Sequence, residues 1–285
     1  MTWQRWCREL SMITTARIST NTNLASFSRG GEKRKMTELI PLYAKHGWKN
    51  FDLNFCEMMN PGSELNDGRA EGYLSALLAV KEELGLGYVL SHAPYPRDSR
   101  PSEASNASIL RSLFYAERLG VPVIIIHPVK GSLEENVDYF SLFLGKYQGP
   151  VRIAIENMEG DDEISDVETL LELTSALGER TGICLDTGHL HMRGGDISGF
   201  IRKAGSRLIA THIADNDGKS DQHFLPGFGT IAWEEVMAAF GESYDGYLNY
   251  ECMFFSRNLP KELSGEVIDL SLKVMDWLLS LTRRP

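Results

Sequence analysis

Short runs of β-branched and apolar residues alternate along the chain with longer segments in which apolar residues recur every three or four positions. The short runs fit buried strands, and the longer segments fit helices with one apolar face. Eight strands are predicted: 16–20, 50–55, 88–92, 123–127, 152–157, 182–187, 208–215 and 247–252. Helices fill the gaps at 32–46, 71–85, 104–120, 133–147, 165–178, 196–205, 231–241 and 260–282. The stretch "EGYLSALLAVKEELG" (71–85) closes on glycine, a usual helix stop, and "ASNASILRSLFYAERLG" (104–120) repeats that pattern. The helix at 165–178 is expected to open with Ser165 as its cap and Glu168 three residues later, as a capping box.

Eight βα units in strict alternation call for parallel strands joined by helical crossovers. Over about 270 residues that pattern fits an α/β fold of the closed (β/α)8 type, a TIM barrel in a single domain. An open, doubly wound sheet is the competing architecture. It usually carries a glycine-rich phosphate loop after its first strand. Here the first strand runs into "NTNLASFSRGGEKRK", which has neither GxGxxG nor the Walker spacing. The barrel is expected to occupy residues 12–285, with residues 1–11 as an N-terminal extension.

Composition narrows the partners. The chain has 285 residues, 42% of them hydrophobic, and a net charge of −10. An acidic surface repels polyphosphates and argues against broad nucleic-acid binding. The dense basic run "GEKRK" (31–35) reads as the solvated start of a helix. The four cysteines, Cys7, Cys56, Cys184 and Cys252, show no CxxC spacing. Cys184 and Cys252 sit in apolar runs and read as buried thiols, which suits a reducing cytoplasm. The first eleven residues lack the apolar core of a secretory leader, and the longest apolar run, "VPVIIIHPV", is too short to span a bilayer.

In such a barrel, chemistry collects where the C-terminal strand ends meet. Strand 3 ends on His92, strand 4 on His127, strand 5 on Glu156 and strand 6 on Asp186, with His189 one turn further. Strand 7 carries His212, the loop after it Asp221 and His223, and strand 8 ends on Glu251. Six consecutive strands thus deliver ionisable groups to one rim, and five of the seven histidines belong to the set. A carboxylate such as Glu156 buried without a partner is costly and calls for a cation or a proton. Histidines and carboxylates converging without cysteine suit a divalent ion with N/O ligands: zinc, manganese, cobalt or magnesium. Two glutamates facing each other across such an ion can serve as an acid/base pair.

The motifs "SHAPY", "IIIHP", "AIEN", "CLDTGH", "THIADN", "DQHFLPGFGTIAW" and "YE" resemble the xylose isomerase-like TIM barrel superfamily over residues 12–280. That group contains sugar isomerases, ketose 3-epimerases and the endonuclease IV (AP endonuclease family 2) enzymes. Likeness to the epimerases implies one metal held by Glu156, Asp186, His212 and Glu251, with Glu156 and Glu251 also moving the proton. Likeness to endonuclease IV implies three zinc ions and five further ligands, His92, His127, His189, Asp221 and His223. All nine residues are present, so one ion is expected and up to three are accommodated. The strand-7 segment "HIADNDGK" departs from the nuclease pattern, and "DGKSDQHFLPGFGTIAW" looks like the loop of the sugar-acting members.

The resemblance therefore implies a cytoplasmic enzyme of carbohydrate metabolism, a metal-dependent isomerase or epimerase of a ketose or sugar derivative. It would work by proton transfer through a metal-stabilised enediolate. Its partner would be a small sugar or sugar phosphate, with neither nucleic acid nor membrane. A homo-oligomer is compatible with the family. The alternatives are a trinuclear zinc phosphoester hydrolase and a non-catalytic metal- or sugar-binding barrel. His189 and His212 would orient substrate or metal, and His92 and His127 would meet substrate or a second metal. Trp233 is expected to cap its loop by packing. Arg193 and Lys219 read as solvated charges near the mouth, and His191 as a loop residue outside the pattern.

Overall fold

A computed structural model describes residues 17–26, 33–96, 100–160, 164–253 and 256–282. The proposed extension, Cys7 and residues 31–32 of the basic run lie outside these. The strands are β1 (Ile18–Thr20), β2 (Asn50–Asn54), β3 (Gly87–His92), β4 (Val123–Ile126), β5 (Arg152–Glu156), β6 (Thr181–Asp186), β7 (Leu208–His212) and β8 (Leu248–Tyr250). The main helices are α1 (Met36–Lys45), α2 (Ala70–Leu84), α3 (Glu103–Leu119), α4 (Leu133–Lys146) and α5 (Val167–Leu177). After β6 come α6 (Thr187–Met192) and α7 (Ile197–Ala204); α8 (Trp233–Ser243) and α9 (Ser264–Leu281) complete the set.

All strand pairs are parallel, in the order β7-β6-β5-β4-β3-β2-β1-β8. A parallel bridge between Ile213 and Tyr250 brings the two ends together, with Ile213 N–H donating to Asn249 O at 2.7 Å. The sheet thus curls into a (β/α)8 barrel in one domain, as the alternation predicts. Alternate residues on each strand face opposite sides. Ile124, Ile126, Ile153, Ile155, Ile183 and Leu185 join the main core under the helices. Their neighbours Ile125, Ala154, Cys184 and Ala210 form a separate apolar cluster with Leu90, inside the barrel.

Two local expectations need correction. Helix α5 is capped by Asp166, not Ser165, which is buried. The Asp166 carboxylate accepts from both the Thr169 N–H (2.8 Å) and the Thr169 hydroxyl (2.9 Å), and its charge suits the positive end of the helix. Ser165 and Glu168 therefore form no capping box. Helix α1 starts at Met36, after an extended Lys35, so the described part of the basic run precedes the helix. Two of its three charges face carboxylates, Lys33 at 3.7 Å from Glu57 and Lys35 at 2.6 Å from Glu64, while Arg34 donates to Ser264 Oγ at 3.4 Å. No helix among the described residues is long and apolar enough to cross a membrane.

Candidate metal centre at the barrel mouth

The nine rim residues named from the sequence come together. Glu156, Asp186 and His212 are each two positions beyond an inward-facing Ala154, Cys184 and Ala210, so strand periodicity points them into the barrel near its C-terminal end. Glu156, Asp186 and His212 are fully buried, and the Glu251 side chain is 12% exposed. Nδ1 of His212 lies 3.0 Å from both Glu156 Oε1 and Glu251 Oε2, and 3.9 Å from Asp186 Oδ2. One donor atom from each of these four residues fits within a span of 4.8 Å.

Two further groups flank this centre. His92 and His127 approach Nε2 to Nε2 at 3.0 Å, and reach Glu156 Oε2 at 3.4 and 3.1 Å. The Nδ1 of His92 faces Ala93 O at 2.8 Å and the Cys56 thiol at 3.1 Å. The other group is His189, Asp221 and His223. His223 Nε2 is 2.6 Å from Asp221 Oδ2, and its Nδ1 donates to Glu251 O at 3.0 Å. His223 adopts φ of +47°, the one positive value among described non-glycine residues. Left-handed backbone at a histidine costs energy and is held by surrounding bonds, a pattern frequent at functional sites.

Supporting bonds fix the ring of donors. The Asn157 side chain accepts from Asp186 N–H (2.7 Å) and donates to Asp186 O (3.0 Å), tying β5 to β6. Asp186 Oδ1 accepts the His189 N–H at 2.8 Å and so caps the short helix α6. That leaves Asp186 Oδ2 buried without a hydrogen-bond donor, and Glu156 Oε2 buried with the His127 and His92 nitrogens near it but no well-formed hydrogen bond. After β7, buried Asp215 accepts from Asn216 N–H, Gly227 N–H, Ile231 N–H and Trp233 Nε1–H at 2.8–3.2 Å. Trp233 thus closes the loop by packing, as expected, and by a hydrogen bond as well. A Cβ at Gly229 would stand 2.3 Å from Asn216 O, so only glycine admits this approach.

The electrostatics follow from burial and crowding. Burial opposes ionisation of Glu156, but His212 and His127 outweigh it and hold the carboxyl well below its usual range. Burial opposes the Glu251 charge too, and His212 brings that carboxyl down to about 2. Asp186 is pushed up to about 6 by burial, which His189 only partly offsets. Burial lowers His127 and disfavours the His212 cation, yet Glu156 and Glu251 carry His212 well above its ordinary value. Burial also raises the Cys184 thiol far above its usual range, so the interior offers N and O donors with a neutral thiol behind them. Three carboxylates around one imidazole, two of them with orphaned buried oxygens, fit a divalent cation with N/O ligands.

Other sequence expectations resolve less centrally. His191 lies in α6, not in a loop, with its Nε2 2.8 Å from Thr230 Oγ1. The helix runs from Thr187 to Met192 because the Asp186 side chain caps its start. Arg193 donates to Gly160 O, and Lys219 is exposed. Asp52, Asn157 and Asp215 were not singled out by the sequence. Asn157 directly follows Glu156, and Asp52 sits between Phe51 and Leu53 in β2; both signals are visible once the barrel is assumed.

Residues 41–275 match the model of the xylose isomerase-like TIM barrel family, and the chain belongs to that family. A probable endonuclease 4 of Mycoplasma capricolum is 23% identical over 176 residues, 51% of this chain and 60% of that protein. Fructoselysine 3-epimerase of Escherichia coli O157:H7 is 30% identical over 74 residues, 26% of this chain and 27% of that protein. The chain spans 60% or less of the length of both curated relatives. The IOLI protein, solved with a zinc atom, has the same fold: TM-score 0.73 at 18% identity, covering 94% of this chain and 100% of that one.

Proposed function

We propose that the chain is a metal-dependent isomerase or epimerase acting on a ketose or a related sugar derivative. The observation that carries this reading is the convergence of Glu156 and Glu251, from β5 and β8, on the same imidazole nitrogen at 3.0 Å each. Glu156, Asp186, His212 and Glu251 would hold one divalent ion. Such an ion supplies charge stabilisation for a carbonyl oxygen and an anchor for the neighbouring hydroxyl. The two glutamates would then flank the carbon next to that carbonyl. One removes its proton, and the other returns a proton, to the opposite face for epimerisation. In the metal-free chain His212 holds both carboxyls ionised, so either is ready to accept a proton; the glutamate that returns one would first take it up from solvent. His189, fixed by Asn157 O at 2.9 Å, would orient a substrate hydroxyl. Similarity to the fructoselysine epimerase supports this reading, as does the net charge of −10, which disfavours a nucleic-acid substrate.

A trinuclear phosphoester hydrolase is the second reading. It is favoured by one observation: the flanking groups His92–His127–Glu156 and His189–Asp221–His223 are each compact enough for an ion. Metal analysis separates the two. About one ion per chain, with solvent deuterium entering a ketose, supports the isomerase. Three zinc ions per chain with cleavage of abasic-site duplex DNA supports the hydrolase and overturns the first reading.

A further inference from the structure

The barrel interior behind the mouth is divided. On β3 to β7 it is apolar: Leu90, Ile125, Ala154, Cys184 and Ala210. On β8, β1 and β2 it is polar: Asn249, Ser19 and Asp52, each at most 2% exposed. These three form a chain. The Ser19 hydroxyl donates to Asn249 Oδ1 at 2.9 Å, and Asn249 Nδ2 donates to Asp52 Oδ2 at 2.9 Å. The chain ends under His212, whose Nε2 is 3.8 Å from Asp52 Oδ2. Both Asp52 Oδ1 and His212 Nε2 are buried and lack a hydrogen-bond partner.

A buried carboxylate with neither lysine nor arginine beside it is expensive, and an apolar residue would continue the floor at lower cost. Asp52 therefore calls for a role. His212 turns Nδ1 toward Glu156 and Glu251. For that nitrogen to offer a lone pair, the ring proton must sit on Nε2. An acceptor beneath Nε2 selects this tautomer and fixes the ring's rotation. The His92 ring, stacked on His212 at 5.3 Å and 11° between planes, restricts the same ring from its face.

We propose that Asp52 is a positioning residue: held by Asn249 and Ser19, its carboxylate beneath His212 Nε2 favours the ring proton on that nitrogen and leaves Nδ1 as the donor toward the metal centre. The inference rests on Glu156, Asp186, His212 and Glu251 being the ligands. It also assigns the polar half of the barrel floor, which the proton-transfer scheme leaves unused.

The test uses the full-length chain, stripped of metal, and titration with Co²⁺ or Zn²⁺ against a competing chelator. D52L removes the acceptor at similar volume, D52N keeps a neutral acceptor, and E156Q removes a ligand. Affinity is expected to fall about 10–100-fold in D52L, by less in D52N, and further in E156Q. Nitrogen-15 spectra of the zinc-loaded protein should show His212 bound through Nδ1 with a slowly exchanging proton on Nε2 in wild type, and a fast-exchanging Nε2 proton in D52L. If D52L does not fold, D52N and the wild-type spectrum still decide the matter. Wild-type affinity in D52L or D52N alongside a large loss in E156Q overturns the inference and spares the ligand reading. Wild-type affinity in E156Q overturns the ligand reading and the inference with it. Zinc bound through Nε2 of His212, with the proton on Nδ1, in the loaded wild-type spectrum also overturns the inference.

Discussion

Two layers of the barrel, separated by two residues along the same strands, obey opposite rules. Behind the mouth, Ile125, Ala154, Cys184 and Ala210 pack without polar partners. At the mouth, Glu156, Asp186 and His212 crowd charge into a buried space beside a half-buried His127, and carboxylate oxygens are left without well-formed hydrogen bonds. The lower layer lowers the free energy of the fold. The upper layer carries the cost of desolvation and carboxylate crowding, which its raised histidines offset in the metal-free chain at low pH and a bound ion offsets otherwise. One backbone serves both because strand periodicity repeats the inward direction every second residue.

The contrast breaks most visibly at the mouth. E156Q is expected to weaken metal binding by more than about a hundredfold, beyond what loss of a supporting group costs, while thermal unfolding of the metal-free protein stays cooperative. Calorimetric titration and a melting scan would check both. The converse change belongs to the floor. I125A deletes buried methyl and methylene groups and should cost about 2–5 kcal/mol of stability by denaturant unfolding, with metal affinity altered less than about threefold. Loss of metal binding in I125A, or collapse of the fold in E156Q, would dissolve the distinction between the layers.

Protons sharpen it further. In the metal-free chain burial opposes the His223 cation, but Asp221 raises the imidazole to about 9; His189 and His212 are also raised. A raised histidine stabilises the fold fully below its unfolded value near 6.5, and that stability is lost as pH rises through the folded value. The metal-free protein should therefore lose stability between about pH 6.5 and 9, followed as melting temperature. With saturating zinc the same series should flatten or reverse, because bound ligands must be deprotonated. A metal-free profile that rises over this window would contradict the buried cationic histidines. The smallest effect is expected at His191. H191Q touches neither layer and should change stability by less than about 0.5 kcal/mol and metal affinity not at all.

The upper layer was the more legible in sequence, for a physical reason. An ionisable residue ending a β-branched run, as in "IIIHP" or "AIEN", is conspicuous because the rest of the run is apolar. Six such endings in register specify a rim once the fold is a barrel. What escaped the sequence depends on partners remote along the chain. Asp52 gains its meaning from Asn249 and His212, and Asp215 from Gly227, Ile231 and Trp233. The cap of α5 went to Asp166 over Ser165 because the next residue's carboxylate had the better geometry, a choice between adjacent acceptors that composition does not reveal. His191 likewise joined a helix whose cap is the buried Asp186.

Solvent deuterium exchange tests the central claim most directly. The metal-loaded protein is incubated with a panel of ketoses and ketose phosphates in heavy water, beside E156Q and E251Q. The account predicts deuterium at the carbon next to the carbonyl of at least one sugar with the wild type, and loss of that exchange in both variants. No exchange in any sugar, together with cleavage of abasic-site DNA by a three-zinc form, would contradict it.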